Sequence, residues 1–150
     1  MSLREDLNAA LKKSMLAKDK ERTAALRMLL SEVKKVEVDQ RIDAVDDSLF
    51  LSLVVKLIKQ HEESSKEFAA AGRTDLADHE NFEADVLRAF LPPQLSEAEV
   101  DDLISNAVRE SGAAGMSDMG KVMAILKPQA AGKTDMGLLS KKVREALQKL

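Results

Sequence analysis

The chain of 150 residues contains no cysteine, no tryptophan and no tyrosine, and only four phenylalanines, six glycines and three prolines. The absence of cysteine excludes disulfide scaffolds, cysteine-ligated zinc, iron–sulfur clusters and thiol catalysis, and it is the usage expected of a reducing cytosol. Few glycines and prolines, together with a hydrophobic fraction of 45%, argue against a disordered chain and favour helices. The composition therefore predicts an all-α protein.

Charge is nearly balanced over the whole chain but unbalanced near its end. Lysine and arginine number 23 against 26 aspartates and glutamates, whereas residues 112–150 hold seven basic and three acidic residues. No apolar run approaches the roughly 20 residues that a membrane helix needs, and no signal-peptide pattern opens the sequence. We therefore expect a soluble, cytoplasmic protein that does not bind membranes and that ends in a mildly basic segment.

Apolar residues recur every three to four positions in several stretches, which is the pattern of amphipathic helices, and none shows the alternation typical of strands. These helices are predicted to begin at side chains that can accept a hydrogen bond from a backbone amide of the first helical turn. Ser2 and Ser96 each precede a glutamate by three positions, which predicts two capping boxes. The charged stretch 37–47 is predicted to be a frayed helix end and a loop. The other predicted capping residues are Asp19, Asp46 or Asp47, Thr74, Ser117 and Asp135.

The strongest interruption is Pro92-Pro93, because neither proline can continue a helical hydrogen-bond ladder. It predicts a boundary between an N-terminal bundle of about four helices, residues 1–93, and a small three-helix domain, residues 94–150. All four phenylalanines precede residue 91. The second domain must therefore build its core from aliphatic side chains and methionine.

Two sequence patterns that would indicate an active site are incomplete. Gly132-Lys133-Thr134 matches the end of a phosphate-binding P-loop, but Lys127 stands where that pattern requires glycine, and no strand is predicted before it. Residues 115–120 surround a serine but lack the G-x-S-x-G order of a nucleophile elbow. We therefore expect no catalytic residue, no cofactor and no stand-alone enzyme.

One helix face offers possible metal ligands. Asp75, His79 and Glu83 recur every four residues, a geometry able to hold a divalent ion. No second ligand pair of known spacing accompanies them, so the pattern favours a solvated, charged helix face over a metal site.

The basic segment contains two glycine–lysine pairs at predicted turns or helix starts, where glycine lets backbone amides approach an anion closely. Basic residues on the polar side of the last helix would extend such a phosphate-binding patch, although an ordinary solvated face explains them as well. Because the segment has no aromatic residue, it cannot recognise RNA by base stacking. The predicted RNA-binding residues are Gly120, Lys121, Gly132, Lys133, Lys141, Lys142 and Arg144.

Several separated motifs together resemble the YqeY family, whose C-terminal part is shared with the tail of the GatB subunit of the tRNA-dependent amidotransferase. The resemblance covers the whole chain. Two departures are Met136 between Asp135 and Gly137, and His61 near a position where the family often has arginine. The matching segments are Leu26-Arg27-Met28, Phe68 to Leu76, Leu91 to Ser96, Asp118 to Met123, Pro128, Gly132-Lys133, Asp135 and Val143.

The resemblance implies a two-part all-α protein with an N-terminal helical bundle and a small C-terminal helical domain. In the amidotransferase, the related tail helps to hold the tRNA body while another part of that enzyme transfers ammonia from glutamine. A label such as carbon–nitrogen ligase with glutamine as amido donor would therefore be inherited by family similarity only.

Three functional hypotheses follow. The first is a cytosolic accessory module that binds tRNA or another structured RNA, together with a possible protein partner in translation. The second is a helical protein–protein interaction module with no RNA role. The third is an amidotransferase component that acts only when the other subunits are present.

Overall fold

The computed structural model describes residues 2–150, which contain seven α-helices, one short 3₁₀ helix at Met116–Asp118 and no β-strand. The all-α prediction is confirmed. The chain divides into two compact units between Leu91 and Pro92. Within residues 2–150, no helix combines the length and the apolar character needed to cross a lipid bilayer. The helices are α1 (Leu3–Leu16), α2 (Lys20–Gln40), α3 (Asp47–Ala70), α4 (Thr74–Arg88), α5 (Glu97–Ser111), α6 (Met119–Ala130) and α7 (Met136–Gln148).

Five helices begin at the residues that the sequence predicts, including α1 after Ser2. The carboxylates of Asp19 and Asp46 accept from backbone amides in the first turns of α2 and α3. Ser96 and Glu99 form a complete capping box at the start of α5. Asp135 Oδ1 accepts from two amides of α7 at 2.7 and 3.3 Å. These caps are predictable because each depends on residues at most three positions apart.

Two predicted caps and one predicted capping box differ from the structure. Ser2 accepts from the Glu5 amide, but the return bond of a capping box is absent among residues 2–150. Thr74 is already helical: the chain leaves α3 through Gly72 at φ 76°, and Arg73 takes the cap position without a side-chain bond. Ser117 lies inside the 3₁₀ helix, so α6 begins after it.

The first unit packs α1 to α4 around one apolar core. Phe50 is fully buried, and its ring meets the ring of Phe90 edge-on, with the centroids 5.7 Å apart. Helices α3 and α4 form a hairpin joined by the short turn at Gly72. Other core residues are Leu7, Leu26, Leu29, Val33, Val54, Ala84 and Leu87.

Glu37 lies in the stretch predicted to be frayed, yet it is buried and holds three parts of the first unit together. Its carboxylate accepts from Arg4 on α1 at 3.0 Å and from the buried amide of Val45 at 3.0 Å. The Arg4 guanidinium lowers the pKa of Glu37 below its ordinary value, and the Val45 amide acts in the same direction. Helix α2 therefore stays ordered to Gln40, and the prediction of a frayed end is wrong.

Replacing Glu37 by glutamine is expected to lower the free energy of unfolding of the first unit by about 2 kcal/mol at pH 7, because the hydrogen bonds to a charged acceptor are lost. A lowered pKa contributes stability above the ordinary value of 4.5, and this contribution disappears as the pH falls through the lowered pKa. The difference between wild type and E37Q should therefore shrink below pH 4.5 in denaturant titrations. Asp39→Asn, an exposed change two positions away, is the control; an equal loss in D39N would contradict the role of the Glu37 contacts.

The second unit is a three-helix arrangement with an entirely aliphatic core. Each helix contributes one stripe of buried residues spaced three to four positions apart, as amphipathic helices require. The core residues are Val100, Ile104 and Ala107 from α5, Val122, Leu126 and Ala130 from α6, and Leu139, Val143 and Leu147 from α7.

Candidate nucleic-acid interface

Helix α7 has an apolar side and a cationic side. Leu139, Val143 and Leu147 are buried in the core, whereas Lys141, on the opposite side of the helix, and Arg144, beside the buried stripe, are exposed. None of the ion pairs within residues 2–150 involves either of these two cations. Lys141 and Arg144 are therefore available to an anionic partner.

Lys142 has a different environment from its neighbour Lys141. Its ammonium group lies 2.9 Å from Asp101 and 3.3 Å from Glu97, both on α5, and only 18% of its side chain is exposed. The hydrogen bond to Asp101 raises the pKa of Lys142 above its ordinary value, and Glu97 acts in the same direction. Lys142 thus links α7 to α5 and is not free for a phosphate.

The start of α6 carries the first glycine–lysine pair. Gly120 is exposed in the first helical turn, and 72% of the Lys121 side chain is exposed. The Asp118 carboxylate accepts from the Ala114 amide at 2.9 Å, which lowers the pKa of Asp118, and it lies 3.7 Å from the Lys121 ammonium. Lys121 can therefore reach solvent, but a carboxylate stands beside it.

The second glycine–lysine pair forms a structural turn. Gly132 is buried with φ 72°, and its carbonyl accepts from the Gln94 side chain at 2.8 Å. The Lys133 carbonyl accepts from the Leu95 amide at 2.8 Å, and the Lys133 amide donates to Ala130. The two carbonyls of this turn hold the segment before α5, and the Lys133 amide is already bonded within the turn. The Lys133 side chain, which is half-buried, can still contact an anion from this turn.

Acidic side chains are concentrated on α5, which carries five acidic residues and a single arginine. The unit therefore has an acidic helix, α5, and a cationic outer side, formed by Lys141 and Arg144 on α7. A polyanion is attracted to the second and repelled by the first.

The structure also brings together residues that the sequence reading kept apart. His61 on α3 contacts Glu80 and Glu83 on α4, at 2.6 and 3.4 Å from its Nδ1 atom. His79 Nε2 lies 2.8 Å from Glu83, as the spacing along α4 indicates. Asp75, the third member of the predicted face, pairs instead with Arg73 at 3.1 Å, and the Arg73 side chain lowers the pKa of Asp75.

The spacing of Asp75, His79 and Glu83 along α4 identifies neither His61, which lies on α3, nor Glu80, which falls outside the four-residue period. The signal that could have identified them is the α3–α4 hairpin, since Gly72 predicts a tight turn that places the end of α3 beside α4. Side chains at equal distances from such a turn face each other across the hairpin.

Comparison with known sequences gives a family match over nearly the whole chain. The profile described as "Yqey-like protein" matches residues 4–147. It covers all seven helices except the last residue of α7 and the first of α1.

Three similar curated proteins carry the name "Altered inheritance of mitochondria protein 41, mitochondrial". The protein from Pyrenophora tritici-repentis is 32% identical over 146 residues, which cover 94% of this chain and 78% of that protein. The protein from Lachancea thermotolerans is 37% identical over 107 residues, or 70% of this chain and 57% of that protein. A Saccharomyces cerevisiae protein is 34% identical over 97 residues, or 63% of this chain and 52% of that protein. The match thus spans only a little more than half the length of the two yeast relatives.

The expectation of a cytoplasmic location is contradicted by these relatives, which are named as mitochondrial proteins. That expectation depended on the missing cysteine and on the absence of a recognisable signal peptide. Missing cysteine excludes disulfide bonds, but it does not distinguish between compartments in which thiols remain reduced.

Proposed function

This chain belongs to the family of Yqey-like proteins, and on that premise we propose that its second unit binds the phosphate backbone of a structured RNA, with tRNA as the first candidate. The observation that carries the proposal is the outer side of α7, where Lys141 and Arg144 are exposed and have no carboxylate partner within the unit. Lys121 and Lys133 are further cations that can reach an anion. Two other members of the predicted patch already have partners in the structure, since Lys142 pairs with Asp101 and Glu97 and the Gly132 carbonyl accepts from Gln94.

Backbone binding is the mode that this surface favours. The second unit has no aromatic side chain on which a base could stack, and its core is purely aliphatic. Lysine and arginine bind phosphates by charge and release counterions when they do so, which gives affinity without base specificity. We therefore infer that the unit recognises charge and shape.

The proposed role is that of an accessory module. The resemblance of the C-terminal part to the tail of an amidotransferase subunit supports a contact with tRNA. The proposal includes no ligase chemistry. The cations of α7 are proposed to bind RNA phosphates, and they supply no catalytic group for the transfer of ammonia.

Lys141→Gln is expected to weaken the binding of labelled, unfractionated tRNA about sixfold at 0.1 M salt, because each neutralised phosphate contributes about 0.7 to 0.9 log units there. Lys141→Gln/Arg144→Gln should weaken binding about 30-fold by the same reasoning. Fluorescence anisotropy with the full chain, freed of copurified nucleic acid, measures both.

Lys142→Gln is the matched control, because it removes the same charge from the adjacent position on α7. We expect it to leave tRNA affinity nearly unchanged, since Lys142 is paired with Asp101 and Glu97. An equal loss in K141Q and K142Q would show that only net charge matters. Unchanged binding in the double variant would refute the proposed interface.

One observation favours a protein-interaction module as the second candidate. Met15 and Leu16, at the end of α1, are 50% and 76% exposed and line an open groove with Leu11. Exposed apolar residues grouped on a helix end are typical of protein contacts. A partner protein that stays bound after nuclease treatment, with no tRNA recovered, would favour this candidate over RNA binding.

A further inference from the structure

Two carboxylates converge on one ring nitrogen inside the first unit. His61 Nδ1 on α3 lies 2.6 Å from Glu80 Oε2 and 3.4 Å from Glu83 Oε2 on α4. An imidazole nitrogen carries at most one hydrogen, so it cannot donate a full hydrogen bond to both oxygens. One imidazole nitrogen and two carboxylate oxygens within 4.8 Å of one another are close enough to bind a single metal ion.

Among the basic side chains of residues 2–150, those that meet the carboxylates of this cluster are the histidines His61 and His79, and no permanently charged cation joins them. Only 21% of the Glu80 side chain and 11% of the Glu83 side chain are exposed, which makes unpaired charge costly there. The nearby Arg88 is occupied by Glu62 and Asp85. Within residues 2–150, no lysine or arginine forms an ion pair with either Glu80 or Glu83.

We propose that His61, Glu80 and Glu83 bind one divalent transition-metal ion, with Zn²⁺ as the best fit. One imidazole nitrogen and two carboxylate oxygens suit Zn²⁺, which takes nitrogen and oxygen ligands at about 2.0 to 2.2 Å. Ligands at that distance in a tetrahedron lie about 3.3 Å apart. The His61–Glu83 distance of 3.4 Å already agrees, and the candidate ligand atoms all lie within 4.8 Å of one another. The shorter His61–Glu80 hydrogen bond must open slightly to admit the ion.

His79 is a positioning residue for this site. Its Nε2 atom lies 2.8 Å from Glu83 Oε1, the oxygen that does not face His61. A partner on the second oxygen fixes the orientation of a ligating carboxylate, and such partners contribute about 10- to 100-fold to metal affinity.

The site is reachable from solvent. A cavity of about 170 Å³ lies between α2, α3 and α4, and His61 and Glu83 form part of its wall beside Gln60 and Glu32. A metal held by three protein ligands keeps a position for water or a small ligand, and this cavity gives access to that position.

The test is isothermal titration calorimetry of the tag-free full chain, stripped with a chelator, against zinc chloride in a non-chelating buffer. We expect one ion per chain for the wild type and no single-site binding in either H61N or E83Q. Asp75→Asn is the matched control on α4, because the Asp75 carboxylate faces Arg73 and should not affect binding. Magnesium chloride at equal concentration should not compete, since Mg²⁺ prefers an all-oxygen site.

Folding of each variant is checked by far-ultraviolet circular dichroism. If H61N or E83Q unfolds, E80Q removes a different ligand, at the most exposed of the three positions. H79A should retain the site with about tenfold weaker binding. Equal zinc binding in the wild type and a folded E80Q, or no binding by the wild type, would overturn the proposal. The cluster would then be an ion-pair contact between α3 and α4.

Discussion

Replacing Leu126 by alanine is expected to raise the unfolded fraction of the unit formed by α5, α6 and α7 about 100-fold. Leu126 is fully buried at the centre of a core that consists only of aliphatic residues. A buried Leu→Ala change costs about 3 kcal/mol, because apolar contact is lost and a cavity remains. A unit of about 60 residues has roughly 3 to 9 kcal/mol of stability in total, so this loss removes a large part of it.

Hydrogen exchange read by peptide mass spectrometry is the measurement, because the chain has no tryptophan or tyrosine to report on one unit by fluorescence. Peptides from α5 to α7 should lose protection in L126A. Leu138→Ala is the matched control, since it makes the same truncation in the same unit at a side chain that is 49% exposed. Equal protection of the α5 to α7 amides from exchange in L126A and L138A would show that Leu126 does not stabilise this core more than an exposed leucine does.

Phe50→Ala is expected to lower the free energy of unfolding of the first unit by about 4 kcal/mol. Phe50 has no exposed surface, contacts the core formed by all four helices and makes the edge-on ring contact with Phe90. Aromatic pairs of this geometry add about 0.5 to 1.5 kcal/mol beyond the burial of area. Chemical denaturation followed by circular dichroism measures the change.

Leu16→Ala is the control for Phe50, because it also removes apolar atoms from the first unit but at a position that is 76% exposed. Its effect should stay within about 0.5 kcal/mol, as is usual for surface changes. A loss in F50A no greater than that in L16A would show that the aromatic pair does not anchor this core.

Features that depend on neighbours in the sequence are predictable from it. The caps Asp19, Ser96 and Asp135 accept from amides two or three positions ahead, and the apolar stripes follow the helical period. The predicted cap at Thr74 is wrong, because the turn at Gly72 determines where α4 begins. Local chemistry thus predicts the presence of a helix more reliably than the residue at which the helix begins.

Features that depend on distant residues are not predictable in this way. Glu37 is buried where it pairs with Arg4, which lies 33 positions away in the sequence. The charged residues next to Glu37 in the sequence, taken alone, indicate a solvated loop. Lys141 and Lys142 are adjacent and chemically identical, and only the packing of α7 against α5 pairs one and leaves the other exposed. The same holds for His61, whose partners belong to the next helix.

The salt dependence of tRNA binding tests the central claim most directly. Four phosphate contacts, from Lys121, Lys133, Lys141 and Arg144, predict a slope of about −3 in a plot of log affinity against log salt concentration. Removing Lys141 and Arg144 together should reduce the slope to about −1.6, whereas Lys142→Gln should leave it at about −3. A slope near zero for the wild type, or one that the double variant leaves unchanged, would contradict recognition of the RNA backbone by this unit.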